Sequence, residues 1–161
     1  MRCIERENFE YFYRQRLLLE MKDDSGKKHK KYSLNEIFVA EENVSQTSIF
    51  HFGVDKKQVG KFKSSGLLIA TGTGSTGWLY SAKRFTELDA ERALHNLGAH
   101  AEPESVMNHI AQSISDQTIF DPGSDKFYYY VREGIRTRGG FLDHAQGYGR
   151  ELDFTSELIN G

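Results

Sequence analysis

The sequence predicts an α+β fold that consists mainly of antiparallel strands, with one helical segment near residues 83–115. Two segments of alternating residues, 47–54 and 58–62, flank a polar turn and indicate a β-hairpin. Two adjacent helix patterns follow later in the chain, and strand patterns lie on both sides of them. The length of 161 residues suits a single domain, 1–161, with its own core.

Composition excludes several classes of function. The chain carries 21 basic and 23 acidic residues, which argues against a general nucleic-acid-binding protein because such proteins carry a basic excess. Its one cysteine, Cys3, excludes an intramolecular disulfide, and the histidines lack metal-ligand spacing, so we predict no metal site. No apolar segment approaches the about 20 residues that span a bilayer, so we expect no membrane partner. Residues 1–10 have neither the apolar segment of a signal peptide nor the basic composition of a mitochondrial presequence.

The amino-terminal part predicts two strands separated by a charged connection. Residues 14–21 have the apolar content of a strand, whereas 7–12 favour no element, and 23–26 form a strong turn signal. The basic run 27–31 has two interpretations: a contact to phosphate or another polyanion, or a solvated loop between strands. The second is favoured, because short charged runs are usually exposed. Residues 34–40 predict the next strand.

The most informative stretch begins with Gly66–Ala70, a short apolar run that predicts a buried strand. Residues 71–77 contain only Gly, Ser and Thr, so we expect them to lie outside the core. Their glycines allow close backbone approach to a ligand, and their four hydroxyls can donate or accept hydrogen bonds. Trp78–Ala82 then begins a helical pattern. A polar loop of this kind after a buried strand is a common place for a nucleotide.

Four interpretations of this loop compete. Gly72, Gly74 and Gly77 match the G-x-G-x-x-G dinucleotide fingerprint, but no second parallel strand follows about 30 residues on. A phosphate loop needs Gly-Lys-Ser/Thr, which is absent. A nucleophile elbow around Ser75 needs glycine where Thr73 stands. A glycine-rich turn without a ligand is the fourth interpretation.

The remaining patterns complete the fold prediction. Ala82–Leu97 predicts a helix with an apolar stripe, and Pro103–Ile114 predicts a second helix that begins at a proline. Residues 126–133 form a strand with an aromatic face, and 134–149 are polar and glycine-rich with weak periodicity. Residues 151–159 fit either a last strand or a helical turn.

Two motifs together resemble the NAD kinase family. Thr71-Gly-Thr-Gly-Ser-Thr-Gly-Trp78 resembles its T-P-T-G-S-T-A-Y signature, and Leu34-Asn35-Glu36 resembles its L-N-E motif. Lys63-Ser-Ser-Gly66 and the tryptophan in place of tyrosine favour the mitochondrial branch of animals. Segments 9–19 and 127–135 also resemble that branch, so the likeness covers most of the chain.

The resemblance implies a function for a longer enzyme. NAD kinases transfer a phosphoryl group from ATP to the 2′-hydroxyl of the adenosine ribose of NAD, which gives NADP. Their amino-terminal domain carries a Gly-Gly-Asp-Gly loop whose aspartate is the expected base, and this chain has no such sequence. We therefore expect the NAD-binding carboxyl-terminal domain, without catalytic residues and without turnover alone. NAD as substrate, ATP as donor, Mg²⁺ in the full enzyme, a homodimer and mitochondrial localisation are implied by resemblance only.

The family's nucleoside-binding residues carry over to seven positions. Asn35 and Glu36 would hold the adenosine, because an amide offers a donor and an acceptor and a carboxylate accepts from ribose hydroxyls. Thr73 and Thr76 would bond to adenine or ribose, and Gly77 would contact the ligand through its backbone. The tryptophan would pack where the family has tyrosine, with a serine behind it. The implied site residues are thus Asn35, Glu36, Thr73, Thr76, Gly77, Trp78 and Ser81.

Two departures from the family signature concern the stiffness of the loop. Gly72 replaces proline, which fixes φ, and Gly77 replaces alanine, so both changes predict a more flexible backbone. The alternative function is a non-catalytic, β-rich interaction domain that keeps a relic of the nucleotide loop. Nucleotide binding distinguishes these two functions.

Overall fold

The computed structural model describes residues 10–23, 25–43, 45–98, 103–135 and 144–157. Within these ranges, strands precede and follow a central helical segment. The strands are β1 (Leu17–Lys22), β2 (Lys28–Ser33), β3 (Glu36–Val39), β4 (Ser48–Val54), β5 (Lys57–Ser64), β6 (Gly66–Ala70), β7 (Phe127–Arg132), β8 (Gln146–Gly149) and β9 (Leu152–Ser156). The helical elements are a 3₁₀ turn (Gly74–Thr76), α1 (Trp78–Lys83), α2 (Glu87–Asn96) and α3 (Glu104–Asp116).

The strands form three sheets in which every pairing is antiparallel. A two-stranded ribbon consists of β1 and β2, a four-stranded sheet has the order β3-β6-β7-β8, and a three-stranded sheet has the order β5-β4-β9. The predicted α+β class, with mainly antiparallel strands around one helical segment, is confirmed.

Strand β6 lies at the centre of the fold, between β3 and β7, and all five of its residues are buried. Successive side chains of a strand point to opposite faces. Leu67 and Ile69 accordingly pack into the core against the three-stranded sheet, whereas Leu68 and Ala70 pack with Leu79 of α1. The strand is therefore held from both faces up to the residue where the polar loop begins.

An aromatic cluster joins the two larger sheets. Phe52 of β4 lies 5.1 Å from Phe62 of β5 and 5.3 Å from Tyr129 of β7, measured between ring centroids. The Phe52–Tyr129 pair is edge-to-face, a favoured aromatic geometry. Phe50 and Phe52 are almost wholly buried. This cluster is thus the apolar contact that fixes the three-stranded sheet against the sheet that carries the loop.

Several predicted strands are confirmed. The segment Gly66–Ala70 is β6 with the predicted bounds, and the hairpin is β4–β5. Its turn uses Asp55 and Lys56, whose φ angles of 51° and 67° are those of a two-residue hairpin loop. The aromatic strand is β7, and of the two alternatives for the carboxyl-terminal segment the structure contains a strand, β9.

The prediction of a loop for the basic run 27–31 was wrong. Lys28–Ser33 is a strand, β2, that pairs with β1 and places Lys30 opposite Glu20, with which it forms an ion pair. Both faces of a two-stranded ribbon meet water, so its sequence lacks the apolar alternation that marks a half-buried strand. The lysine side chains are solvated, as expected. Strand β1 also begins at Leu17, three residues later than the pattern indicated.

The helix predicted over Ala82–Leu97 is divided in the structure. Helix α1 already begins at Trp78, and α2 begins after Thr86, which forms a reciprocal capping box with Asp89. The predicted apolar stripe is mostly exposed, since Leu97 is 83% exposed. A polar capping pair thus outweighs the apparent continuity of the helical pattern.

Two more boundaries differ from the prediction. Helix α3 extends past Ile114 to Asp116, and Pro103 precedes its first helical residue. The glycine-rich stretch 134–149 contains strand β8, which pairs with β7 through Gly147 and Gly149 and gives no alternating pattern. Residues 136–143 of that stretch and 158–159 of the last segment lie outside the described residues.

Truncation of Phe52 tests the contact between the two sheets. We expect Phe52→Ala to lower the free energy of unfolding by about 3–5 kcal/mol, because it leaves a cavity among aromatic rings. Phe52→Leu should cost about 1 kcal/mol, since most of the volume is kept. Glu91→Ala on the exposed face of α2 should change the value by less than about 0.5 kcal/mol. Urea denaturation measures all three, and equal losses at positions 52 and 91 would contradict the assignment of the core.

Candidate functional site

The structure brings the two sequence motifs together at one end of the four-stranded sheet. Glu36 is the first residue of β3, and it lies opposite Ala70, the last residue of β6, in the antiparallel pair. The segment 71–77, here called the Gly-Ser-Thr loop, follows directly. Asn35 immediately precedes β3, so the Asn-Glu pair lies at the beginning of the strand.

Thr71 joins the loop to the start of β3. Its hydroxyl donates to the carbonyl of Leu34 at 2.6 Å, and its backbone N–H donates to the carbonyl of Asn35 at 2.9 Å. The same hydroxyl oxygen accepts the N–H of Gly74 at 3.2 Å. Thr71 is buried, so its hydroxyl serves the protein's own backbone and is not available to a ligand.

Gly74 allows the two motifs to touch. A Cβ atom built on this glycine would lie 2.3 Å from the carbonyl oxygen of Asn35 and 2.8 Å from Oε2 of Glu36. Neither distance is compatible with a side chain, so any other residue would separate the loop from β3. The carboxylate of Glu36 therefore lies directly against the backbone of the loop.

Ser75 fixes the opposite side of the loop. Its hydroxyl donates to the carbonyl of Gly72 at 2.7 Å and accepts the N–H of Phe120 at 3.3 Å. A Cβ on Gly72 would lie 2.1 Å from the carbonyl oxygen of Asp121, so this position also requires a close backbone approach. The expectation that the loop lies outside the core was thus wrong for its inner side. Hydrogen bonds within the fold replace the water that its polar atoms would otherwise need.

The other implied site residues line the outer side of the loop. Asn35, Thr76 and Ser81 are exposed, and Glu36 is half-buried. Within the described residues, no hydrogen bond is made by the side chains of Asn35, Glu36 or Thr76. Their amide, carboxylate and hydroxyl groups are consequently free to bind a polar ligand, and all three lie at the same end of the sheet.

Thr73 and Gly77 complete the outer side. Thr73 is half-buried, and its hydroxyl accepts an N–H of the Arg14 guanidinium at 3.3 Å. Gly77 is exposed, and its carbonyl accepts the N–H of Ser81 at 3.1 Å as α1 begins. All seven implied site residues therefore lie on or immediately beside the Gly-Ser-Thr loop and the start of β3.

Trp78 follows the loop as the first residue of α1. Its indole is 38% exposed, and its ring centroid lies 4.8 Å from that of Phe38 on β3. It is therefore not a core residue beneath a turn. Because it directly follows the Gly-Ser-Thr loop and contacts β3 through Phe38, its fluorescence can report ligand binding at the loop.

The carboxyl-terminal end of α1 is anchored on the sheet by Lys83. Its ammonium group donates to the Tyr128 hydroxyl at 2.5 Å and lies 4.4 Å from the centre of that ring. Burial lowers the pKa of Lys83 and raises the pKa of Tyr128 to about 12. The tyrosine thus remains a neutral partner at neutral pH, and the contact holds the helix that follows the loop.

Two other kinds of site were compared with the loop. A groove of about 720 Å³ lies between the helices and is lined by Tyr80, Arg84, Asn108 and Gln112, among others, but it includes none of the implied site residues. Among the residues that the structure describes, no three His, Cys, Asp or Glu side chains are placed to hold a metal ion. In the same residues, no helix is long and apolar enough to cross a membrane.

Sequence reasoning identified the loop but missed the residues that hold it. The four hydroxyls were recognised as a group, yet nothing in the pattern separates the anchoring Thr71 and Ser75 from the outward Thr73 and Thr76. Arg14 gave no signal either, because its partner Thr73 lies 59 residues away. The pairing of β3 with β6 accounts for the contacts of Thr71, and the contacts of Ser75 and Arg14 are visible only in the tertiary structure.

The sequence comparisons agree with the geometry. Residues 34–83 match the family model of the ATP-NAD kinase C-terminal domain. NAD kinase 2, mitochondrial, from Homo sapiens is 30% identical over 112 residues, which cover 66% of this chain and 25% of that protein. The Xenopus tropicalis protein of the same name is 26% identical over 137 residues, which cover 72% of this chain and 32% of that protein. NAD kinase from Fusobacterium nucleatum is 46% identical over 55 residues, which cover 33% of this chain and 21% of that protein.

Solved structures show the same fold. A yeast NADH kinase complexed with NADH has a TM-score of 0.58 at 16% identity and covers 92% of this chain and 32% of its own. An NAD kinase from Archaeoglobus fulgidus in complex with ATP has a TM-score of 0.52 at 16% identity and covers 90% of this chain and 42% of its own. The resemblance to NAD kinases, a transferase family, is confirmed. The chain spans about a quarter to a third of the length of the two animal relatives.

The two glycines of the loop give a matched test of its packing. We expect Gly74→Ala to lower the free energy of unfolding by about 1–3 kcal/mol, because the methyl group forces the loop away from Asn35. At Gly77 a Cβ would lie 3.5 Å from the carbonyl of Gly74, an ordinary contact, so Gly77→Ala should change stability by only about 0.5 kcal/mol. Urea denaturation measures both. Equal effects would contradict the close contact between the loop and β3.

Proposed function

We propose that this chain is the nucleoside-binding domain of an NAD kinase, which transfers a phosphoryl group from ATP to the 2′-hydroxyl of the adenosine ribose of NAD. One observation carries the proposal: the contact at Gly74 brings the Asn35-Glu36 pair against the outer side of the Gly-Ser-Thr loop. The family match over residues 34–83 covers both motifs.

Each free group at this end of the sheet has a role in holding adenosine. The Asn35 amide offers a donor and an acceptor to the edge of the adenine, and the Glu36 carboxylate accepts from the ribose hydroxyls. Thr73 and Thr76 add hydroxyls, and the backbone of Gly77 adds a contact without a side chain. Because Thr71 and Ser75 hold the loop from within, these groups are pre-positioned before the ligand arrives.

The proposed reaction needs groups beyond this chain. In the transfer, the 2′-oxygen forms a bond to the γ-phosphorus, the bond from that phosphorus to the bridging oxygen breaks, ADP leaves, and the hydroxyl proton passes to a base. We assign no catalytic residue to this chain, whose share is to orient the ribose, since phosphoryl transfer depends mainly on positioning and charge stabilisation. Mg²⁺ is implied by the family, but the described residues offer no cluster that fits it, so none of them is assigned to the ion.

We also propose a mitochondrial location. Its support is that three animal relatives are named mitochondrial NAD kinase 2. Import of the full-length protein fused to a fluorescent reporter, followed by its co-localisation with a matrix marker, tests this.

Intrinsic fluorescence of Trp78, the single tryptophan, tests nucleoside binding directly. We expect a saturable change when NAD is added, because a ligand at the loop alters the surroundings of the half-exposed indole. Glu36→Gln should weaken the apparent affinity about tenfold, since a hydrogen bond to a charged carboxylate is lost. Lys28→Ala in the ribbon serves as the control and should leave the titration unchanged.

The outcomes separate the two candidate functions. A flat wild-type titration, after correction for nucleotide absorbance, would favour the non-catalytic interaction domain. Loss of the signal in Lys28→Ala rather than Glu36→Gln would move the ligand to the basic ribbon.

We propose in addition that the protein forms a homodimer. The supporting observation is an exposed apolar pair on the ribbon of β1 and β2. Leu18 and Tyr32 lie opposite each other and are 47% and 69% exposed. Such an apolar pair on a two-stranded ribbon is better stabilised when covered. We expect light scattering to give the dimer mass for the wild type and for Lys56→Glu, and a monomer for Leu18→Glu combined with Tyr32→Glu. A wild-type monomer at high concentration would refute this.

A further inference from the structure

The segment before β1 brings a cation to the Gly-Ser-Thr loop. Residues 10–16 precede β1 without belonging to a strand. The N–H of Gln15 donates to the carbonyl of Pro122 at 2.8 Å, which fixes the segment to the turn behind the loop. Arg14, the neighbouring residue, then reaches Thr73 with its guanidinium at 3.3 Å. The position of this arginine is therefore defined by backbone contacts on one side and by the loop on the other.

The charge of Arg14 is not neutralised by any residue that the structure describes. Among the described residues, Arg14 forms no ion pair with a carboxylate, and the centre of the Phe12 ring lies 5.3 Å from its guanidinium carbon. A guanidinium has five N–H donors, and only one is used on Thr73. With respect to the residues that the structure describes, four donors and the positive charge of this exposed arginine thus remain for a ligand.

We infer that Arg14, beside the nucleoside-binding Thr73, forms the subsite for the 5′-phosphate chain of the adenine nucleotide that the loop holds. This inference rests on the proposed function, because it adds a binding site for the phosphate anion next to the adenosine site of Asn35 and Glu36. The planar fork of a guanidinium matches the oxygens of a phosphate, and such charge-assisted bonds are stronger than neutral ones. Arg14 also occupies a lone pair of the Thr73 hydroxyl and leaves its proton free to donate.

A purely structural role for Arg14 makes a different prediction. If the arginine only held the segment 10–16 against the loop, its removal would disturb the loop for every ligand alike. The subsite, in contrast, affects only ligands that carry phosphate. The ratio of the affinities for ADP and adenosine therefore separates the two roles, whatever happens to the loop as a whole.

Calorimetric titration of the full chain with adenosine, AMP and ADP provides the test. We expect the wild type to bind ADP about tenfold more tightly than adenosine, and AMP to lie between them. Arg14→Ala should reduce the ratio of the ADP affinity to the adenosine affinity to about one while leaving adenosine binding unchanged. Arg14→Lys should restore part of this ratio, because lysine supplies the positive charge without the planar fork. Arg16→Ala is the matched control, because Arg16 is exposed and makes no hydrogen bond or ion pair in the described part of the chain.

The results separate the phosphate subsite from the nucleoside site. A ratio that Arg14→Ala leaves intact, or an equal loss for adenosine and ADP, would overturn the phosphate subsite. Adenosine binding with no gain from phosphate in the wild type would also overturn the subsite while leaving the nucleoside site in place. Failure of all three ligands to bind the wild type would overturn both.

Discussion

The contact between the carbonyl of Asn35 and the Gly-Ser-Thr loop is the constraint on which the site depends. That carbonyl accepts the N–H of Thr71 and lies where a side chain on Gly74 would stand. Two segments more than 30 residues apart are thereby held at bonding distance, and the side chains of Asn35 and Glu36 lie beside the loop. The chemistry proposed for the site follows from this one approach, because neither motif offers enough donors and acceptors alone.

The constraint is effective because β6 is buried and packed on both faces. Its apolar residues are buried on one face by the aromatic cluster around Phe52 and on the other by α1 through Leu79. A strand packed on both faces resists displacement, since protein interiors are close-packed and transmit strain. The loop therefore begins from a fixed point at Ala70 and ends at a helix that Leu79 and Lys83 hold to the same sheet.

The sequence predicted those parts of the fold whose residues are locally distinctive. Gly66–Ala70 predicts a buried strand because it is apolar throughout. The β4–β5 hairpin is predicted by its alternating residues, which are typical of half-buried strands. The ribbon strand β2 was missed because both of its faces meet water, and β8 was missed because its alternating glycines carry no pattern. The division between α1 and α2 depends on a side-chain capping pair, which outweighs the continuous helical periodicity.

The sequence predicted where the site lies but not which hydrogen bonds hold its residues in place. The family resemblance identified the seven implied site residues, and all of them lie at one end of the four-stranded sheet. What holds them could not be inferred, because the bonds of Thr71, Ser75 and Arg14 join residues that are distant in sequence or indistinguishable in type.

The replacement of the family's proline by Gly72 shows how this construction changes the meaning of a substitution. Considered alone, glycine in place of proline predicts a looser loop, because φ is no longer fixed. In the structure, Gly72 lies so close to the carbonyl of Asp121 that any side chain would collide with it, and the Ser75 hydroxyl binds the Gly72 carbonyl. Close packing and hydrogen bonds thus supply the restraint that the pyrrolidine ring would give. The loop is ordered by its neighbours, and a ligand need not supply that order on binding.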